Sequence, residues 1–152
     1  MKHIFLISMP SGGEWITIMI FFIVIGIIPG IFYILTLQNT LKVISESNRK
    51  MPPANVWLLL IPLFGIVWHF IVVSNIAQSI EAEYQSRNIQ TTMKPTYGIG
   101  LAVSILNCIS IIPIVNFVSG FAALVCWIIY WVQVSGHKER IFRLILQSNV
   151  QA

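Results

Sequence analysis

The first apolar stretch, residues 15–37, decides the fold and reads WITIMIFFIVIGIIPGIFYILTL. It carries no charge, and most of its residues are Leu, Ile, Phe or Val. A helix of this length reaches about 35 Å, which crosses a hydrocarbon core of about 30 Å with some tilt. The run is too long for a cleaved signal peptide, and no small-residue cleavage site follows it. We therefore predict a transmembrane helix that begins at an interfacial Trp15.

The composition extends this prediction to the whole chain. Of 152 residues, 57% are hydrophobic and 9% are charged, against about 25% charged in an ordinary soluble domain. This hydrophobicity excludes intrinsic disorder, and two cysteines exclude a disulfide-stapled secreted scaffold. The net charge is +4, and the basic residues flank the apolar runs. We therefore predict membrane lipids as partners and no binding of nucleic acid.

Three further apolar segments lead to an all-α prediction for the chain, an integral membrane helical bundle with four transmembrane helices. We expect one membrane domain over residues 1–152, with spans at 15–37, 56–77, 97–113 and 117–134. Residues 112–116 are the candidate turn between the last two spans. The helical pattern of the second span continues to Arg87, where Glu83 and Arg87 are spaced for an i,i+4 ion pair.

Aromatic and basic residues follow the last span. We expect Trp127, Tyr130 and Trp131 to form an interfacial belt, and Gly136 to end the helix. Residues 137–147 then predict an amphipathic helix on the membrane surface. Its apolar side chains, expected to face lipid, are Ile141, Leu144 and Ile145, and its basic side chains, expected to face headgroups, are Lys138, Arg140 and Arg143.

The charge distribution predicts the orientation. With four spans, six basic residues share the side of both termini and three lie on the other side, so both termini are expected in the cytoplasm. An alternative makes segment 56–77 re-entrant, broken at Pro62, and places every basic residue except Lys2 on one side. The length and the continuous helical pattern of that segment argue for four spans.

His69 is the most unusual side chain in a predicted span, because ionisable residues inside membranes usually mark functional sites. Pro62, Gly65 and His69 would share one helix face, and Gly65 would leave room beside the imidazole ring. This face and Asn107 are the candidate functional or pore-lining residues. The alternative is a neutral histidine that is hydrogen-bonded to Asn107 or Ser104.

Small residues at helical spacing predict helix packing. Gly26 and Gly30 form a GxxxG pair, which can serve a dimer or another helix of the same chain. Two matching stripes are expected where the last two helices meet, and their members are Gly100, Ser104, Cys108, Ser119, Ala123 and Cys126. We expect Cys108 and Cys126 at similar depth, close together and reduced.

No catalytic, cofactor-binding or metal-binding set is recognisable. Asp is absent from the sequence, and every Glu lies outside the predicted spans. We therefore predict a non-enzymatic scaffold or accessory subunit of a membrane complex, with itself or another membrane protein as partner. The alternative is an oligomeric channel or transporter that uses the face of Pro62, Gly65 and His69.

Two stretches carry a resemblance to a known group of proteins. Residues 48–70 read NRKMPPANVWLLLIPLFGIVWHF, and residues 126–131 read CWIIYW. They resemble a family of small bacterial membrane proteins defined by a domain of unknown function, over roughly residues 38–140. The resemblance implies a multi-span protein of the bacterial cytoplasmic (inner) membrane, and it implies no activity, cofactor or catalytic residue.

Overall fold

The computed structural model describes residues 12–91, 94–112 and 116–150, which form helices and no strand. The predicted all-α class is therefore confirmed. The α-helices are α1 (Gly12–Val43), α2 (Phe64–Ser86), α3 (Tyr97–Ile109) and α4 (Asn116–Val150), and two 3₁₀ helices cover Glu46–Asn48 and Pro53–Leu60. The chain divides into two compact units, Met1–Phe32 and Tyr33–Ala152.

In the first unit, α1 exposes large apolar side chains along its length. Trp15, Met19 and Phe21 are each more than half exposed. Among the described residues, α1 and α4 are long and apolar enough to cross a membrane, and α3 is a shorter apolar helix. These two helices are weak support for a membrane location, and the four-span bundle stays a prediction.

The predicted continuous helix over 56–77 is wrong. The chain forms the 3₁₀ helix Pro53–Leu60, leaves helical geometry at residues 61–63, and begins α2 at Phe64. Pro62 causes the break, since it has no N–H and disfavours helical geometry in the residue before it. Leu63 has φ 62° and ψ −51°, and the Phe64 N–H donates to the Pro62 carbonyl at 2.7 Å, which together make a γ-turn.

The last helix is longer than predicted, whereas the second is interrupted. Helix α4 continues without interruption to Val150, so Gly136 does not end it and residues 137–147 are not a separate surface helix. A glycine inside a helix costs only about 1 kcal/mol, and packing on both sides of it offsets that cost. Ile141 is buried, and Leu144 and Ile145 pack against the core of the second unit, so these side chains face protein rather than lipid.

The second unit is built from two antiparallel hairpins packed with the end of α1. In the first hairpin, the 3₁₀ helix Pro53–Leu60 lies beside α2. The Trp68 indole of α2 donates to the Asn55 carbonyl of this 3₁₀ helix at 2.9 Å. In the second, α3 packs on α4, and the Ser110 and Ser119 hydroxyls are hydrogen-bonded at 3.1 Å near the turn. Residues 113–115 of the predicted turn lie outside the described residues.

The close approach inside the first hairpin requires a glycine. A Cβ on Gly65 would collide with the backbone carbonyl of Leu59. Gly65 therefore serves the contact between α2 and the preceding 3₁₀ helix, and the expectation that it leaves room beside His69 stays a prediction.

Candidate functional site

A buried chain of hydrogen bonds surrounds His69, which helix α2 places in the core with 7% of its surface exposed. Its Nε2 lies 2.9 Å from the Tyr33 hydroxyl, and its Nδ1 lies 2.6 Å from Ser104 Oγ. Ser104 Oγ in turn donates to the Gly100 carbonyl at 3.0 Å. The chain therefore joins α1, α2 and α3.

The bonds are consistent with one neutral tautomer of the ring. With the Ser104 proton on the Gly100 carbonyl, Ser104 accepts from Nδ1–H, and the neutral ring accepts the Tyr33 hydroxyl proton at Nε2. Both nitrogens of the neutral imidazole then have a partner. The chain ends on the Gly100 carbonyl, which cannot take up and pass on a proton. Of the two interpretations from the sequence, the geometry matches the neutral, hydrogen-bonded histidine, with Ser104 and not Asn107 as its partner.

Aromatic rings from α4 enclose the Tyr33 end of this chain. The centroid of the Tyr33 ring lies 5.2 Å from that of Trp127, 6.3 Å from Tyr130 and 6.1 Å from Trp131. Tyr130 is fully buried, and the Trp131 indole donates to Thr36 Oγ1 at 2.9 Å. The predicted interfacial belt is therefore wrong for Tyr130, because the α4 aromatic rings pack on α1.

The other candidate pore residues do not join His69 on one open face. Pro62 is exposed and precedes α2, whereas Gly65 and His69 are buried inside it. Asn107 is exposed and lies on a groove of about 350 Å³ between α3 and α4. The residues lining this groove are Asn107, Ser110, Gly120, Ala123, Leu124 and Trp127.

The small-residue stripes lie at the contact of α3 with α2 and α4. A Cβ on Gly100 would come within 2.5 Å of a Val73 methyl and 2.7 Å of the Tyr130 ring, so only glycine fits there. Ser104, Ser119 and Ala123 are buried. The stripes thus allow close approach of the helices, the use that small residues have in membranes.

The remaining small residues have looser surroundings. Cys108 and Cys126 are free thiols and half-buried. The contacts of Ser110 with Ser119 and of Gly100 with Tyr130 offset the two cysteines by about one helical turn, which does not support equal depth. In the first unit, a Cβ on Gly26 or Gly30 would meet no described atom within 4 Å, and their packing role stays a prediction.

A second buried polar cluster was missed by the sequence analysis and surrounds Glu83, whose side chain is fully buried. Its carboxylate accepts from the Ser45 N–H and hydroxyl, each at 3.1 Å, and from Asn48 Nδ2 at 2.7 Å. The predicted ion pair with Arg87 is confirmed at 2.8 Å. The Ser45 and Asn48 bonds had no local signal, because they join residues 35–38 positions apart.

The surroundings of Glu83 keep its carboxylate ionised. Burial raises the pKa of a carboxyl, but here the hydrogen bonds from Asn48, Arg87 and Ser45 outweigh burial and lower the pKa of Glu83 below its ordinary 4.5. Donors to the charged form stabilise that form. The cluster therefore holds a buried negative charge that ties the segment after α1 to the last turns of α2.

Other polar contacts gather at the same end of the second unit. Ser79 Oγ accepts from the Lys50 N–H at 2.9 Å, and the Tyr84 hydroxyl lies 2.9 Å from His137 Nδ1. Arg140 stands over the Tyr84 ring. A cavity of about 250 Å³ also lies here, lined by Val43, Lys138, Glu139, Phe142 and Arg143.

In the described part of the chain, no group of three His, Cys, Asp or Glu side chains lies close enough to hold a metal ion. The resemblance to small bacterial membrane proteins stays a prediction from the residues that carry it. Comparison with protein-family models, with curated proteins and with solved structures gave no significant match to this chain.

Proposed function

We propose that this chain is a small non-enzymatic protein of the bacterial cytoplasmic membrane, a scaffold or accessory subunit of a membrane complex. The observation that carries this proposal is the apolar outer surface of the second unit. Val67 of α2, Ile105 of α3 and Phe121 of α4 are 64%, 45% and 72% exposed. A soluble monomer rarely exposes large apolar side chains on several helices, and such exposure is typical of contact with lipid or with another membrane protein.

The polar interior supports a structural rather than a catalytic role. The His69 chain and the Glu83 cluster each connect different segments of the fold, and both use their hydrogen-bonding groups within the protein. Close packing at Gly100 also holds the helices together. These contacts make a rigid helical unit whose outer surface is left for partners, and helices in lipid associate through such packing.

The alternative, an oligomeric channel or transporter lined by Pro62, Gly65 and His69, has less support. His69 is enclosed by Tyr33, Ser104 and aromatic rings, and neither cavity described above is lined by it. A channel of this kind would need the second unit to open around the ring.

The membrane part of the proposal is tested by fractionation. Alkaline carbonate should leave the protein in the membrane pellet, and release into the soluble fraction would contradict the proposal.

The purified protein in mild detergent should then have a mass above that of one 17.2 kDa chain. A strict monomer without any co-purifying subunit would contradict the scaffold or accessory role.

Reconstitution separates this role from the channel. Liposomes with the wild-type protein should show the same proton flux as empty liposomes. A flux that the wild type supports and His69→Ala abolishes would favour the channel, while Ser148→Ala, on an exposed residue near the end of α4, serves as the control.

A further inference from the structure

The two hairpins of the second unit begin and end at the same end of that unit. The segment before the first hairpin touches the last turns of α2, through Ser45 with Glu83 and Lys50 with Ser79. The second hairpin starts beside those turns, because the Lys94 N–H donates to Glu81 at 3.2 Å. It returns to them where His137 of α4 meets Tyr84.

The charged residues of the second unit are concentrated at this same end. The Lys and Arg residues of the second unit all lie at this end, at positions 42, 49, 50, 87, 94, 138, 140 and 143. No charged residue occurs in 51–80 or in 95–137, the stretches that form the hairpins. We call this charged end the basic end.

The opposite ends of the hairpins, their tips, are apolar and exposed. Leu63 and Phe64 at the first tip are 79% and 44% exposed, and Ile112 and Val118 at the second are 53% and 76% exposed. A turn that emerges into water on the far side of a membrane needs no such run of apolar side chains. Apolar tips fit hairpins that end inside the hydrocarbon.

The lengths of the helical segments also fit hairpins that end inside the hydrocarbon. Helix α3 has 13 residues, which reach about 20 Å, and α2 from Ser79 to Phe64 reaches about 22 Å. The eight residues of the 3₁₀ helix Pro53–Leu60 reach about 16 Å. The apolar part of α4 from Val118 to Val134 reaches about 24 Å. All four segments are shorter than the hydrocarbon core of about 30 Å.

Irregular backbone inside a membrane must satisfy its own polar groups, and several described groups at the two tips do so locally. At the first tip, the N–H groups of Ile61, Phe64 and Gly65 donate to nearby carbonyls, and Pro62 has no N–H. At the second, the N–H groups of Ser110, Ile111 and Ile112 donate to the last turn of α3. These local bonds reduce the number of backbone groups for which a re-entrant segment needs water or more protein.

We infer that both hairpins enter the membrane from the basic end and stop inside the hydrocarbon, with lipid acyl chains as the partner of their exposed apolar surface. The basic end faces the cytoplasm, because Lys and Arg near membrane segments are retained on that side. Segment 56–77 is then re-entrant, and α3 with the apolar part of α4 does not cross either. The inference rests on the proposed membrane location.

Single cysteines in a Cys108→Ala, Cys126→Ala background test this placement with a membrane-impermeant maleimide applied to either face of sealed vesicles. Ser47→Cys and Gln90→Cys, in two exposed loops of the basic end, should both be labelled from the cytoplasmic face only. Four spans would place these two loops on opposite faces, so labelling from opposite faces overturns the inference.

Ile112→Cys tests the depth of the second tip. This cysteine should not be labelled from either face of sealed vesicles, and it should be labelled once detergent dissolves the membrane. Labelling from the face opposite to Ser47→Cys would show that this hairpin crosses and would overturn the inference for it. If carbonate instead extracts the unaltered protein, the membrane proposal itself fails, so the two failures are distinguishable.

Discussion

The His69 chain and the Glu83 cluster bury polar groups in two different ways. His69 lies in the uncharged part of the second unit, and its bonds run between neutral groups and end on a backbone carbonyl. Glu83 lies at the basic end, where it keeps its charge and accepts from Ser45, Asn48 and Arg87. Both side chains are buried, and only one is charged.

The difference shows how position decides which buried polar groups a fold can hold. A buried charge is stable only with a full set of donors, and Arg87 supplies one while keeping 24% of its own side chain exposed. His69 is 7% exposed and its partners are the hydroxyls of Tyr33 and Ser104, surroundings that favour a neutral ring. The predictions below compare the two clusters by substitution.

The largest effect is expected for Glu83→Ala. Removing the carboxylate leaves the donors of Ser45 and Asn48 without an acceptor, so we expect a loss of about 3 kcal/mol in the free energy of unfolding. The measurement is denaturant unfolding in detergent micelles. Glu139→Ala is the control, because its pair with Arg143 is exposed and 3.5 Å long, and it should change stability by less than about 0.5 kcal/mol. Equal losses in the two variants would contradict the role of the cluster.

A somewhat smaller loss is expected for His69→Ala, about 2 kcal/mol, since two hydrogen bonds between neutral groups and the ring contacts disappear. Asn107→Ala, on an exposed polar residue of α3, should be close to neutral. Tyr33→Phe combined with His69→Ala should cost less than the sum of the two single losses. Full additivity would show that the bond between Tyr33 and His69 contributes nothing.

Two glycines of α3 test the packing next to the His69 chain. Gly100→Ala should destabilise by about 1–3 kcal/mol, because its Cβ overlaps Val73 and Tyr130. Gly98→Ala meets no described atom within 4 Å and should stabilise the helix by up to about 1 kcal/mol. Thermal unfolding of both variants in the same detergent gives the comparison, and a tolerated Gly100→Ala would refute the tight contact.

The smallest effect is a pH dependence that distinguishes the charged cluster from the neutral one. The folded protein lowers the pKa of Glu83 below 4.5, so its stabilising contribution is complete above that pH and is lost as the pH falls through the lowered value. The melting temperature of the wild type should therefore fall more steeply below about pH 4.5 than that of Glu83→Gln. Parallel curves would contradict the ionised state of Glu83.

Residue patterns predicted the helical class and several local features correctly. The uncharged run from Trp15 to Leu37 is helical, and the spacing of Glu83 and Arg87 gives the expected ion pair. These features depend on neighbours along the chain or one turn away, and local sequence contains them. The sequence predicted Asn107 or Ser104 as a hydrogen-bond partner of His69, and Ser104 is the one that bonds to it, at 2.6 Å.

Features that depend on distant segments were predicted less well. Gly136 looked like a helix end, but Val134 before it and Ile141 after it are both buried and the helix continues. The close approach of the Leu59 carbonyl to Gly65 was not predicted. Ser45 and Asn48 gave no sign of binding Glu83, because nothing in a polar loop specifies a partner 35 residues away.

The sequence by itself determined that this protein is helical and apolar, since hydrophobic runs without charge leave few alternatives to helices that satisfy their own backbone. Tertiary structure alone decided which residues hold Glu83, and it selected the break at Pro62 and the Ser104 partner of His69 from the alternatives that the sequence left open. The physical reason is that hydrophobicity is a property of each residue and adds along the chain. A hydrogen bond or a close contact between distant helices exists only once their packing has brought the two atoms together.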